Sequence, residues 1–205
     1  MWIERPPWFY RCLFPGVVFR MPVSGKRPGK IYLTFDDGPI PEVTPHVLDI
    51  LEKAGVKATF FMVGENVNRY PKLLEEVKRR GHKAANHTYN HIRGWQIGRS
   101  RYLENVEKTE RLIGSGLFRP PHGYLTLRQL SALKSHYKVV MHDLVTRDYD
   151  GRLSADDVVK NVKKYTRDGS VIVFHDSLKS WPRLKEALPE SLEWLQKMGY
   201  EFGVL

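Results

Sequence analysis

Cysteine, basic tracts and long apolar runs are all scarce in this 205-residue chain. Cys12 is the only cysteine, which excludes an intramolecular disulfide and leaves the redox compartment open. Lys and Arg (33) outnumber Asp and Glu (23), giving a net charge of +10, but no run of five basic residues occurs. Because no nucleic-acid-binding motif accompanies this charge, we expect no specific nucleic-acid partner.

No apolar segment approaches the length of a membrane span, so we expect no transmembrane helix. The first residues do not read as a secretory signal, because Glu4, Arg5 and Arg11 interrupt them and Pro15 breaks the apolar run 12–19. The sequence as written predicts a soluble, cytoplasmic protein and leaves the cell envelope open. It does not fix the oligomeric state.

Length and composition predict one folded domain preceded by a short arm. Residues 1–29 are rich in proline and aromatic residues and lack a clean periodicity, which predicts an arm packed across the domain. A weak contact with a membrane surface is the alternative for this arm. The domain itself is predicted over residues 30–205, without internal repeats.

From residue 30 onward, strand-like and helix-like segments alternate, which predicts a mainly parallel α/β sheet. The predicted strands are 31–35, 57–63, 82–86, 117–119, 137–142, 170–175 and 200–203. Helical spacing predicts helices around 47–54, 73–77, 101–113, 158–162 and 182–198, with Pro189 splitting the last at a helix start. Such a sheet either closes into a (β/α) barrel or winds as an open sheet. In both, reactive residues gather at the carboxyl ends of the strands.

Asp36 and Asp37 stand side by side where the apolar strand 31–35 ends. Two neighbouring carboxylates repel each other when ionised, and burial strengthens the repulsion. A cation on one carboxylate and a role as a base for the other would explain the pair. A solvated Asp-Asp-Gly turn is the alternative.

Other reactive residues also follow predicted strands. These residues are His87, His91, Arg119, Asp148 and His175. His87 and His91 are four residues apart, and on a helical turn both imidazoles could share a metal with a carboxylate as third ligand. Thr88 stands where a zinc-protease motif needs glutamate, which argues against a metalloprotease. Taken singly, Arg119 could be a surface arginine and His175 a histidine that caps the sheet.

In the order and spacing of five motifs, the chain resembles the polysaccharide deacetylases, the NodB-homology family of carbohydrate esterases. The motifs are Thr34-Phe35-Asp36-Asp37-Gly38, His87-Thr88-Tyr89-Asn90-His91, Arg119-Pro120-Pro121-x-Gly123, Arg147-Asp148-Tyr149 and Val173-Phe174-His175-Asp176. The resemblance runs from about residue 30 to the last residue. It implies a distorted (β/α) barrel, usually of seven strands, that forms a catalytic domain of bacterial type.

The resemblance also implies a role for each polar residue of these motifs. Asp37, His87 and His91 would bind one divalent metal, most often zinc, with cobalt, nickel and manganese as alternatives. Asp36 would be the general base that deprotonates the metal-held water, and Arg119 would keep Asp36 ionised and oriented.

On the acid side, the resemblance implies that His175 is the general acid that protonates the leaving amine. Asp148 would orient His175. The peptide between Pro121 and His122 would supply a backbone N–H to the oxyanion.

Four residues, Pro121, His122, Tyr149 and Val173, are predicted to contact the substrate. His122 stands where relatives commonly have an aromatic residue, and we expect it in the sugar groove. Tyr149 and Val173 replace the Trp and Leu that form the slot for the acetyl methyl group in relatives. His142 stands where relatives often have Trp, and we expect it to pack.

The implied function is removal of acetyl groups from N-acetylated amino sugars of a glycan or oligosaccharide, of the peptidoglycan or chitooligosaccharide type. The partner is therefore an acetylated carbohydrate. One alternative is an esterase that removes O-acetyl groups from a polysaccharide such as xylan, with the same site and a different groove. The other is a sugar- or metal-binding relative with weak or no catalysis.

Overall fold

The computed structural model describes residues 4–23, 25 and 29–205. The remaining residues of the predicted arm (1–3, 24 and 26–28) lie outside the described residues. The strands are β1 (Lys30–Asp36), β2 (Thr59–Met62), β3 (Lys83–Asn86), β4 (Leu117–Phe118), β5 (Lys138–Val139), β6 (Leu144–Val145), β7 (Val171–His175) and β8 (Glu201–Gly203). The α-helices are α1 (Trp8–Cys12), α2 (Thr44–Lys53), α3 (Gly64–Arg69), α4 (Pro71–Arg79), α5 (Arg99–Ile113), α6 (Leu127–Leu133), α7 (Ala155–Tyr165) and α8 (Trp181–Lys197). Single 3₁₀ turns occur at Gly94–Gln96 and Pro121–Gly123.

The strands form one curled sheet in the order β5-β4-β3-β2-β1-β7-β6, and β8 pairs with the start of β1. All of these pairings are parallel. Within the described residues no pairing joins β5 to β6, so the barrel is open along that seam. The predicted fold class, a distorted (β/α) barrel of parallel strands, is confirmed.

Strand β1 lies in the middle of the sheet and is buried along most of its length. Phe35 is in register with Phe60 of β2 and Phe174 of β7, and its ring stacks at 5.0 Å and 5.9 Å from theirs. Burying one such side chain contributes about 1.5–3 kcal/mol. The nearly continuous apolar run of β1 is typical of a parallel strand covered on both faces. The same register sets Asp36 beside His175.

The predicted strand 137–142 is wrong in its second half. Strand β5 ends at Val139, and Val140 pairs with Val18 of the arm. A separate strand, β6, then begins at Leu144. Between the two strands the buried carboxylate of Asp143 accepts hydrogen bonds from arginine side chains, which fixes a turn there. Asp148 therefore follows β6, a strand that the sequence did not reveal.

Pro189 lies inside α8, so the predicted helix start at this residue is wrong. A proline in a helix interior removes one hydrogen bond, which here frees the carbonyl of Lys185. Both residues are exposed, so water can reach this carbonyl. The opposite face of α8 is held in the core by Leu188, Leu192 and Leu195, and this packing keeps the helix continuous.

The described part of the arm runs along the open seam of the sheet. Val18 forms a parallel bridge with Val140, next to β5. Arg20 forms an antiparallel bridge with Ser170, at the start of β7. The arm therefore supplies backbone partners on both sides of the seam, which protects strand edges that would otherwise be free.

None of the helices in the described part of the chain has both the length and the apolar character needed to span a bilayer.

Candidate active site

The carboxylate of Asp36, at the end of β1, is held by a buried arginine. Nη1 of Arg119 lies 2.6 Å from Oδ1 of Asp36, and both side chains are almost fully buried. The same Nη1 donates to Oγ1 of Thr34 at 2.8 Å. Nε and Nη2 donate to the carbonyl oxygens of Val140 (3.3 Å) and Met141 (3.0 Å). These bonds fix the guanidinium, so the carboxylate stays beside a full positive charge.

Asp37 leaves the strand in a left-handed conformation, with φ 84°. Its Oδ1 lies 3.1 Å from Nε2 of His91 and 3.8 Å from Nε2 of His87. Ligand atoms of these three residues all lie within 4.8 Å of one another. Burial alone would raise the pKa of Asp37, but the hydrogen bond with His91 and the charges of His175 and His87 outweigh it and hold that pKa well below its usual range.

His87 and His91 approach each other through a loop and not through the helical turn on which their spacing was interpreted. Thr88 and His91 both have left-handed backbones, with φ 64° and 57°. The two ring centroids are 5.1 Å apart. The loop therefore brings the two imidazoles together, as the helical turn was expected to do.

The surroundings of His87 suit a metal ligand. Its Nδ1 lies 2.8 Å from the carbonyl oxygen of Arg119, a distance at which a protonated Nδ1 donates. This contact leaves Nε2 facing Asp37 with a free lone pair. Burial lowers the pKa of His87 to about 4, so the ring is neutral at pH 7. Two imidazole nitrogens and one carboxylate oxygen, with room for water, match the donor set of catalytic zinc sites. The residues present thus fit a divalent metal.

His175 closes β7 and is held by Asp148. Its Nδ1 lies 2.8 Å from Oδ1 of Asp148, and its backbone N–H donates to Oδ2 at 2.7 Å. Burial alone would lower the pKa of His175, but the charge of Asp148 outweighs it and raises the pKa to about 9. His175 is therefore an imidazolium at neutral pH. Asp148 is itself fixed, because Nε of Arg183 donates to its carbonyl oxygen at 2.6 Å.

These groups meet in one cavity of about 420 Å³. The predicted site residues that line it are Asp36, Asp37, His87, His91, Arg119, His122, Tyr149, Val173 and His175. Two other predicted residues lie behind the lining. Asp148 is fully buried beneath His175, and Pro121 is buried in its 3₁₀ turn while Pro120 lines the cavity.

Two predicted substrate contacts, His122 and Tyr149, pack against the predicted metal ligand His91 and the predicted acid His175. The ring of His122, whose φ is 58°, packs edge-on 4.7 Å from His91. The ring of Tyr149 packs edge-on 4.9 Å from His175. His142 also lines the cavity, and its Nε2 is buried without a hydrogen-bond partner among the described residues. Because burial lowers its pKa to about 3, this ring is neutral.

Sequence reasoning missed several residues around the cavity. Ser177 and Lys179 line it just beyond the His175 motif, where their position after a strand end was the available signal. Thr34 supports Arg119, and its position two residues before Asp36 placed it on the same face of β1.

Asp176 has a structural role beneath the aspartate pair. It accepts a hydrogen bond from the backbone N–H of Gly38 at 3.1 Å and one from Oγ1 of Thr44 at 2.6 Å. Burial raises the pKa of Asp176 to about 8. A Cβ on Gly38 would lie 2.0 Å from Oδ2 of Asp176, so only glycine fits the turn after Asp37.

Fold and site together define a (β/α)-barrel protein with three potential metal-donor side chains, a buried carboxylate and a partly buried imidazolium around one cavity. Residues 24–139 match the family model described as polysaccharide deacetylase. The chain belongs to this family, and the resemblance seen in its motifs is confirmed.

Two curated relatives and one solved structure show how near the similarity is. The chain is 37% identical over 183 residues to a peptidoglycan-N-acetylglucosamine deacetylase of Bacillus cereus, which covers 86% of this chain and 62% of that protein. It is 35% identical over 162 residues to a chitooligosaccharide deacetylase of Bradyrhizobium, covering 75% and 73%. A crystal structure of a peptidoglycan N-acetylglucosamine deacetylase in complex with a naphthalenyl N-oxidanyl-benzamide superposes with a TM-score of 0.88 at 30% identity, covering 97% and 94%. The chain thus spans less than two thirds of the Bacillus cereus relative.

Proposed function

We propose that this protein is a metal-dependent hydrolase that removes acetyl groups from N-acetylated amino sugars of a glycan or oligosaccharide. One observation carries the proposal: a donor cluster, a buried carboxylate and a partly buried imidazolium share one cavity. The relatives support it, because they are named for peptidoglycan N-acetylglucosamine and for chitooligosaccharides. Residues 30–205 would be the catalytic domain and residues 1–29 an arm packed on it, which the two bridges of the arm support.

In this proposal Asp37, His87 and His91 hold one divalent metal ion. Their donor atoms and the neutral state of His87 support zinc, with cobalt, nickel or manganese as alternatives. When bound, the ion supplies a Lewis acid that makes water more acidic and polarises the amide carbonyl. A cation here also relieves the repulsion between Asp37 and its neighbour Asp36.

Asp36 is the proposed general base. Its carboxylate lies 3.9 Å from Nε2 of His87 and therefore beside the donor cluster. Oδ1 is occupied by Arg119 at 2.6 Å, which leaves Oδ2 to take the proton of the attacking water. The bond from Arg119 therefore fixes the orientation of the carboxylate as well as its distance from the donor cluster.

His175 is the proposed general acid. An amide releases an amine, a poor leaving group that must be protonated as the C–N bond breaks. His175 carries a proton at neutral pH, and Asp148 occupies its Nδ1, so Nε2–H is the group left to donate. An O-acetyl ester needs this proton less, so the protonated His175 favours N-deacetylation over the esterase alternative. A binding module without catalysis would leave both Asp36 and His175 unexplained.

The oxyanion and the acetyl methyl group need two further contacts. Proline has no N–H, so the peptide that joins Pro121 to His122 offers the N–H of His122, which lines the cavity. Val173 and Tyr149 lie in the cavity wall and provide apolar surface for the methyl group. These contacts would place the reacting carbonyl between the donor cluster and His175.

The test is release of acetate from chitooligosaccharides, peptidoglycan and acetylxylan, measured with and without a chelator. We expect acetate from the N-acetylated glycans, loss of activity on chelation, and recovery when zinc, cobalt, nickel or manganese is added singly. Release from acetylxylan alone would favour the esterase alternative. A metal-loaded protein that releases no acetate from any of the three would overturn the proposal.

A further inference from the structure

An exposed apolar surface lies beside the cavity and takes no part in the proposed reaction. It is formed by Trp95 and Tyr124, which we call the aromatic platform. Their exposed fractions are 62% and 39%. Exposed apolar patches rimmed by polar residues mark binding surfaces, and the exposed Gln96 adjoins Trp95 in sequence.

A continuous series of rings joins the aromatic platform to the donor cluster. The ring of His122 lies 4.7 Å from that of His91 and 6.3 Å from that of Tyr124. Tyr124 in turn lies 6.0 Å from Trp95. Because His122 lines the cavity, the platform continues the cavity wall outward. A chain-like ligand anchored in the cavity would therefore extend over the platform.

The two loops that carry the platform are locked together. The backbone N–H of Gly94 donates to the carbonyl oxygen of Tyr124 at 3.2 Å, and the buried Gln129 donates to the carbonyl oxygen of Gly94 at 2.6 Å. A Cβ on Gly94 would lie 2.6 Å from Oε1 of Gln129 and 2.8 Å from the carbonyl oxygen of Tyr124, so a larger residue would force the loops apart. The platform is thus held on a fixed base, which lowers the entropy cost of binding.

Trp95 is exposed although the loop that carries it is packed against the hydrophobic core. Neighbouring Ile97 and Leu125 turn inward and pack against a cluster that includes Tyr102 and Phe118. The same loops therefore bury some apolar side chains and present others to solvent beside the cavity.

We propose that the aromatic platform is a subsite for a second pyranose ring, next to the sugar whose acetyl group enters the cavity. A pyranose has apolar C–H faces that stack on aromatic rings and polar edges that stay hydrated. A sugar fits better than a lipid or a protein partner because the platform is continuous with the cavity. The inference rests on the proposed function and specifies its substrate as an oligomer.

The kinetic test compares wild type with Trp95→Ala, Trp95→Phe and Met198→Ala on chitooligosaccharides from dimer to pentamer. We expect Trp95→Ala to raise KM for the pentamer about tenfold, because the stacking contact is lost. Trp95→Phe, which keeps an aromatic face, should restore most of it. Met198 is also exposed but lies where α8 ends, near the start of β8, so Met198→Ala should match wild type. Equal KM values for wild type and Trp95→Ala at every length would overturn the subsite.

A binding measurement separates the subsite from the reaction. Calorimetric titration of chitopentaose into Asp36→Asn, with and without Trp95→Ala, should show affinity that depends on Trp95. If it does while wild type releases no acetate, the subsite stands and the proposed reaction fails. If Trp95→Ala instead changes only self-association in light scattering, the platform is an interface between copies of this chain and the subsite is wrong.

Discussion

His87 and His175 both line one cavity, the first buried and the second 14% exposed, yet they are in opposite charge states at neutral pH. Nδ1 of His87 faces the neutral carbonyl of Arg119, so burial dominates and lowers the pKa to about 4. Nδ1 of His175 faces the carboxylate of Asp148, which outweighs burial and raises the pKa to about 9. The acceptor at Nδ1 thus decides which imidazole can bind a metal and which can give up a proton.

Replacing His87, the neutral histidine, should have the largest effect on metal content and activity. We expect His87→Ala to lose both bound metal and acetate release, because one of the three proposed ligands disappears. Elemental analysis and an acetate assay on the same preparation measure both. His136→Ala is the matched control, because His136 is exposed and should affect neither. Full metal occupancy in His87→Ala would remove His87 from the ligand set.

Asp36→Asn separates metal binding from proton transfer. We expect metal content to stay at the wild-type level while the rate of acetate release falls by about 10²–10⁴-fold, the usual contribution of a general base. The two assays used for His87→Ala provide the readout. Loss of metal from Asp36→Asn would move Asp36 from the base to the ligands.

Replacing His175, the charged histidine, tests its proposed role as an acid. The test compares two substrates whose leaving groups differ in their need for a proton. His175→Gln should lower release of acetate from a chitooligosaccharide by about 10²–10⁴-fold. The loss should be much smaller on p-nitrophenyl acetate, because its leaving group needs no proton. Parallel rates on both substrates give the comparison. An equal loss on both substrates would mean that His175 does not act as the acid.

Asp148→Asn should replace the carboxylate at Nδ1 of His175 by a neutral acceptor, as His87 has. We expect this variant to have the smallest effect on the rate. The acid must be protonated, so wild-type activity should fall as the pH rises through about 9. Without the carboxylate the pKa of His175 drops, and this alkaline limb should move to lower pH. The pH profile of kcat/KM shows the shift. An unmoved limb would assign it to another group.

The sequence predicted the parts of the fold and of the candidate site that depend on local pattern. Strand β1 is a run of apolar and β-branched residues, and Asp36 and His175 come directly at strand ends, so strand order alone brought them to one rim. The structure places both in one cavity. Their chemical roles stay predictions until the variants are measured.

Features set by distant contacts could not be predicted. The break between β5 and β6 depends on Asp143 and its partner Arg11 from the arm, and Pro189 is tolerated in α8 only because of packing in the core. The platform requires two loops that meet through Gln129. Helix α6 is different, because its capping box, Thr126 with Gln129, was visible in the sequence and was missed.

The bridges of the arm have a consequence for the order in which the chain folds. Val18 and Arg20 pair with Val140 and Ser170, which are far away in the sequence. Contacts between distant residues form late, because closing a long loop costs conformational entropy before any contact repays it. We therefore expect β1, β2 and β3 to pair first. The arm precedes the barrel in the sequence, yet we expect it to pair with the strands beside the open seam last.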